Sequence, residues 1–278
     1  PEVIGYTLSA FYDPNSSCMK MPKFAFDPVS LPKLTIIAAG TSYFAGMIAK
    51  YWFEGIARLP VEVDIASEFR YRNTVLPEGG AALFISQSGE SLDTLMALRH
   101  AREKGQHIIS LVNVGESTIA RESDVVLKTL AGPEISVAST KAYTTQLSVL
   151  LCLSVDWAQK RNFLDRTKAF EIMDELSRLP TALAEVLADK ERWNACAHEL
   201  AGARDVIYLG RGLNFPTALE GALKLKELSY IHAEGYAAGE MKHGPIALLD
   251  EGMPVVMVAP YDEWFDKTAS NLKEALAR

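Results

Sequence analysis

The chain has 278 residues, 49% of them hydrophobic and 23% charged, with 28 Lys+Arg against 35 Asp+Glu for a net charge of -7. That length holds two ordinary domains of roughly 100–200 residues, either able to bury its own core. The acidic balance argues against a nucleic-acid surface, whose affinity comes largely from Lys and Arg at phosphates.

The sequence opens at Pro1 rather than Met, with no basic-then-apolar leader, so a fragment of a longer protein is expected. Residues 1–33 read as a connecting linker, punctuated by Pro1, Pro14, Pro22, Pro28 and Pro32, with a loop at Asn15-Ser16-Ser17. Short apolar runs then alternate with amphipathic stretches. Leu34–Ala39, Val61–Ala66, Ala81–Ile85, His107–Val112 and Val125–Leu130 predict strands. Tyr43–Arg58, Leu92–Lys104 and Thr140–Gln159 predict helices between them. Continuous apolar strands alternating with helices give an α/β fold, a doubly wound parallel sheet over residues 34–160. The longest apolar candidate for a membrane, Leu147–Val155, stops at Asp156, well short of the roughly 18 residues a span needs.

Residues 161–200 read as a charged helical connector broken at Pro180. A second domain follows over 201–278, with strands at Val206–Leu209 and Val255–Ala259 and helices at Pro216–Tyr230 and Asp262–Ala277. It restarts the first: Ile36–Ser42 parallels Ile207–Leu213, and Val63–Glu68 parallels Ala233–Ala238. Only two clear strands are predicted there against five before, so the second sheet is expected to be cut short after Arg278.

Two strand-to-helix turns are rich in hydroxyls: Gly40-Thr41-Ser42 and Ser86-Gln87-Ser88-Gly89-Glu90-Ser91. In a parallel sheet such turns lie at the carboxyl ends of strands, where ligands bind. Hydroxyls and free helix-start amides suit a phosphate monoester. No Gly-x-x-x-x-Gly-Lys-Ser/Thr loop or complete Gly-x-Gly-x-x-Gly supports a nucleotide. The competing reading is that the serines only cap helices. Glu220, Lys224 and Glu227, at i, i+4 and i+7, present carboxylate, ammonium and carboxylate on one helix face, either an acid–base set or an ordinary surface pair. His243, in the loop Gly239–Pro245, is an acid–base candidate or a solvated histidine. The segment Ala131–Lys141 can close over a sugar, or Ser139 or Thr140 can merely cap the next helix with Lys141 solvated. Cys18, Cys152 and Cys196 are far apart, and no His, Cys or carboxylate spacing suggests a metal; the chain fits a reducing cytoplasm.

In this order, Gly40-Thr41-Ser42, Ser86–Glu90, Val137–Lys141, Glu220–Glu227 and Lys242-His243-Gly244-Pro245 closely resemble the isomerase half of the glutamine–fructose-6-phosphate amidotransferases. The resemblance spans the whole chain. It implies two flavodoxin-like sugar-isomerase (SIS) domains, making glucosamine 6-phosphate from fructose 6-phosphate and ammonia without cofactor or metal. It places Ser42, Ser86, Gln87, Ser88 and Ser91 on the phosphate, with Ser91 standing where the family usually has Thr. It places Thr41, Val137 and Ser139 on the sugar. Glu227 becomes the carboxylate that moves a proton between C1 and C2, and Lys224 its assistant at the neighbouring oxygens. His243 becomes the ring-opening histidine, reaching across a homodimer interface. The family's glutaminase domain and its Lys-bearing C-terminal tail have no counterpart here. Alternatives are a stand-alone phosphosugar isomerase or deaminase, a non-catalytic sugar-phosphate sensor and, more distantly, a nucleotide-binding protein.

Overall fold

Runs such as Leu34-Thr35-Ile36-Ile37-Ala38 have no polar face to show to water, so they pair in the middle of a sheet covered on both sides. The computed structural model describes all of residues 1–278. It divides into two compact units, Pro1–Ile135 with Ser139–Glu185, and Ser136–Ala138 with Val186–Arg278.

The first unit begins with helix α1 (Glu2–Phe11) and a short antiparallel pair, β1 (Tyr12–Asp13) and β2 (Cys18–Met19). There follow β3 (Leu34–Ala38), α2 (Gly40–Gly55), β4 (Val61–Ile65), α3 (Ala66–Phe69), β5 (Ala81–Ser86) and α4 (Leu92–Glu103). The unit continues through β6 (His107–Val112), α5 (Thr118–Arg121), β7 (Val125–Lys128), α6 (Lys141–Lys160) and α7 (Arg166–Ala188). The five long strands are parallel in the order β4-β3-β5-β6-β7. Successive strand residues face opposite sides. Ile36, Leu83, Ile85 and Leu111 pack with α1, α2, α6 and α7, while Ile37, Phe84 and Ile108 pack with Phe69, Leu98 and Ile119 of α3–α5.

Two expectations are corrected here. Residues 1–33 are not bare connector. Between Pro1 and Pro14 there is no proline, and Ile4, Leu8 and Phe11 fall at helical spacing, so α1 forms and buries them in the core. Phe24 and Phe26 set their rings edge-on to Trp157, at 5.4 and 5.9 Å. Arg161 donates to the carbonyls of Pro28 at 2.7 Å and Ala57 at 2.9 Å, fastening the segment to the end of α2. Nor does Pro180 break its helix. It lacks one N–H, which removes one bond, but Ala169, Met173 and Leu176 one face earlier are buried and hold α7 together.

The second unit carries α8 (Lys190–Leu200), β8 (Asp205–Gly210), α9 (Asn214–Ser229) and β9 (His232–Ala237). Two 3-10 turns (Ala238–His243 and Pro245–Leu248), β10 (Val255–Val258) and α10 (Phe265–Leu276) complete it. Its sheet is parallel, in the order β10-β8-β9, so there are three strands rather than two. β9 escapes a hydropathy reading because His232, Glu234 and Gly235 interrupt its apolar run. Val206 and Ala233 pack with Ala222 of α9, and Ile207 and Leu209 with Met241 on the opposite face. No helix is long and apolar enough to cross a membrane.

Candidate functional site

In the first sheet β3 and β5 are neighbours, but α2 leaves β3 on one face and α4 leaves β5 on the other. The chain therefore parts between them, opening a crevice at their carboxyl ends. The two hydroxyl-rich turns follow these two strands. Thr41 and Ser42 lie in the first turn of α2, with Ser42 buried. Ser86 ends β5, and Ser91 stands at the N-cap of α4.

The capping reading does not survive. Neither Ala39 nor Ser91, at the two N-cap positions, makes a side-chain cap bond. Ser91 instead pairs with the Ser86 hydroxyl at 3.3 Å. Helix-start N–H groups lack a partner within the helix, and such groups can donate to an anion. The turn itself is held internally. Ser86 Oγ accepts from the Gly89 N–H at 3.0 Å, and Ser88 Oγ from the Glu90 N–H at 3.2 Å. Gly89 has φ +66, and a Cβ there would stand 2.0 Å from Ser117 Oγ, so only glycine fits. The Glu90 carboxylate accepts the Thr118 N–H at 2.8 Å, which holds its carboxyl below the ordinary range. The negative charge is thus occupied at α5. The Gln87 carbonyl accepts from Asn113 N–H at 3.1 Å.

The segment before α6 also departs from the capping alternative. Thr140 holds the N-cap position without a side-chain cap bond, and the Glu134 carboxylate accepts the Ala142 N–H at 3.3 Å instead. Lys141 is not a free solvated side chain, since its ammonium donates to the Pro133 carbonyl. Val137 is 90% exposed, and Ser139 is half-buried.

In the second unit α9 brings Glu220, Lys224 and Glu227 together. Lys224 Nζ lies 2.6 Å from Glu227 Oε2 and 3.5 Å from Glu220 Oε1. The Lys224 and Glu220 side chains are 17% and 8% exposed, so this is not the ordinary surface pair, whose worth is at most about 1 kcal/mol. His243 is exposed at the end of a 3-10 turn, where a plain loop was expected. Gly239 inside that turn and Gly244 just after it hid it, because glycine reads as loop. Its neighbour Lys242 pairs with Glu274 at 2.7 Å, and Glu274 takes a bond from Asn271 at 3.2 Å. Asn271 in turn accepts from Arg211 at 2.9 Å, so the turn is tied to α10 and to the loop after β8. No group of three His, Cys, Asp or Glu is arranged to hold a metal ion.

The sequence reading overlooked Asn113. It follows β6 directly, at the carboxyl edge where ligand groups gather, and that position was the available signal.

Comparison with known proteins decides the family. The SIS domain family model matches residues 30–155 and 199–278. The chain belongs to the SIS-domain family. SIS relatives include the glutamine–fructose-6-phosphate aminotransferases (isomerizing) of Bradyrhizobium diazoefficiens and Gluconobacter oxydans, 55% and 54% identical over all of this chain. The chain spans about half the length of these curated relatives, 46% in each case. The SIS fold here also superposes on the C-terminal domain of glucosamine-fructose-6-phosphate aminotransferase from Francisella tularensis, with a TM-score of 0.96 and 43% identity. That match covers all of this chain and 79% of the other.

Proposed function

We propose that this SIS chain is the isomerase part of a glutamine–fructose-6-phosphate aminotransferase, converting fructose 6-phosphate and ammonia into glucosamine 6-phosphate. The ammonia comes from glutamine, at a glutaminase domain of the whole protein. The observation that carries the reading is the Lys224 ammonium 2.6 Å from Glu227, largely out of water, in a chain whose other unit holds an uncapped, hydroxyl-lined crevice.

The phosphate binds to Ser42, Ser86, Gln87, Ser88 and Ser91 and to the first-turn amides of α2 and α4. Thr41, Val137 and Ser139 take the sugar. Anchoring the dianion away from the reacting end lets its binding energy orient C1 and C2. His243 moves a proton at the anomeric oxygen and opens the ring, as an imidazole can both donate and accept one. Ammonia adds to C2 and water leaves, giving an imine. Glu227 removes a proton from C1, the C–H pair becomes the C1=C2 bond, and the nitrogen takes up a proton. Returning the proton to C2, with loss of the O1 proton, leaves an aldehyde at C1 and an amine at C2. One carboxylate reaching two adjacent carbons performs both transfers. The neighbouring Lys224 offsets charge developing on the substrate oxygens.

The exposure of His243 supports a homodimer in which it serves the partner copy's site. Three free cysteines suit a reducing cytoplasm. Thermal unfolding tests the reading. Fructose 6-phosphate or glucosamine 6-phosphate is expected to raise the melting temperature, and NAD or ATP to leave it unchanged. Protection by the nucleotides alone would overturn the assignment.

A further inference from the structure

Asn113 fastens chain on two sides of itself. Its backbone N–H donates to the Gln87 carbonyl at 3.1 Å, within the Ser86–Ser91 turn. Its side chain turns the other way. Oδ1 accepts from Thr129 Oγ1 at 3.0 Å and from Ala131 N–H at 3.1 Å, while Nδ2 donates to the Gly132 carbonyl at 2.8 Å. The partners fix the amide's orientation, because an N–H only donates and a carbonyl only accepts.

These bonds secure the start of the 131–141 loop. Its far end is secured by Lys141 on the Pro133 carbonyl and Glu134 on the Ala142 N–H. Between the two anchors Ile135 and Val137 are 94% and 90% exposed. Gln87, Asn113, Thr129, Gly132 and Pro133 border one open groove of about 600 Å³. The phosphate-side turn and the start of the loop therefore share a wall.

Resting on the function proposed above, we propose that the Asn113 side chain is a positioning residue for the sugar end of the substrate. It sets where the 131–141 loop stands, and it does so independently of phosphate binding. The separation follows from the bonding. The contact with the phosphate-side turn is made by the backbone and survives any substitution with a free N–H. The contacts with the loop are made by the amide and are lost with it. A loop already fixed at its start has less freedom to lose when it closes on a sugar, so its anchor appears in sugar affinity.

The test measures binding of fructose 6-phosphate and of inorganic phosphate to the wild-type chain, Asn113→Ala and Thr129→Val by calorimetry. Melting curves verify folding. Asn113→Ala is expected to weaken fructose 6-phosphate by about tenfold, the scale of a lost hydrogen bond, and to change phosphate affinity less than about twofold. Thr129→Val keeps size and removes one of the two donors to Oδ1, so a smaller loss of the same kind is expected. It also provides the reading if Asn113→Ala does not fold. Equal losses for both ligands would reduce Asn113 to a structural role, and no loss for either would remove it from the site. If the wild-type chain bound neither ligand, the proposed function itself would fall, an outcome distinct from both.

Discussion

The two units repeat one frame and use it differently. Each turns from its first long strand into a helix through a glycine, Gly40 in one and Gly210 in the other. In the first unit the turn continues with Thr41 and Ser42 and leaves its helix uncapped. In the second it continues with Arg211, whose guanidinium is engaged with Asn271. The acid–base candidates of the second unit are not at that turn at all. Glu220, Lys224 and Glu227 lie along the middle and end of α9, which by the right-handed crossover runs back toward the amino ends of the strands. His243 ends the 3-10 turn after β9. Topology supplies a crevice in both copies, but the side chains at its rim decide whether it receives an anion. A repeated frame thus specifies fold twice and chemistry once at each place.

The largest effect expected from breaking this division is on catalysis. Glu227→Gln, in the whole enzyme, should lower the rate of glucosamine 6-phosphate formation by about 10²–10⁴-fold, the usual range for a general acid–base group. Sugar-phosphate affinity should stay within a few-fold, as read by kcat against calorimetric Kd. Preserved turnover would remove Glu227 from the chemistry.

Matched glycine substitutions sharpen the comparison. A Cβ on Gly89 would meet Ser117 Oγ at 2.0 Å, and one on Gly210 would meet the Asn214 carbonyl oxygen at 2.0 Å. Gly89→Ala and Gly210→Ala should each cost roughly 1–3 kcal/mol of stability by chemical denaturation. Only Gly89→Ala should also abolish phosphate binding. Equal loss of phosphate affinity in both would mean the anion site is not confined to the first unit.

The smallest effect belongs to the first unit's core. Asp156 on α6 is buried beside Lys160 at 2.7 Å, and burial raises its carboxyl above the ordinary range despite that partner. A folded-state pKa above the unfolded value means the folded chain takes up the proton first. The carboxylate therefore costs stability above its folded pKa, and the cost fades as pH falls through that value. Asp156→Asn mimics the protonated carboxyl and does not titrate. The stability difference between variant and wild type should therefore shift in favour of the wild type as pH falls from 7 toward 4, measured by urea unfolding. A constant difference across that range would assign it to packing instead.

Much of the fold was legible because burial on both faces writes itself as unbroken apolar runs. His107–Val112 came out with the bounds read from the sequence, and the other strands of the first sheet within a residue or two. β9 was obscured because a strand of a small sheet tolerates Glu234 and Gly235, which break the run. Pro180 misled because proline's penalty is local and the buried face of α7 outweighs it. At the candidate site, the hydroxyl clusters and the Glu–Lys–Glu spacing were visible in one dimension. The burial of Lys224, the failure of Ser91 to cap and the grip of Asn113 on a loop 16 to 19 residues later were not, since each depends on what lies across space.

The packing of residues 1–33 bears on how this protein can be dissected. Trp157, Phe24 and Phe26 form one aromatic cluster, and Arg161 spends its guanidinium on carbonyls of this segment and of the α2 end. Trimming at Leu34, where the first long strand starts, would bare a hydrophobic flank on α6 and strand an arginine half-sunk in it. Such an exposed apolar surface invites self-association. The excised piece would be prone to precipitate while every candidate site residue was still present, and inactivity in that sample would say nothing about the site.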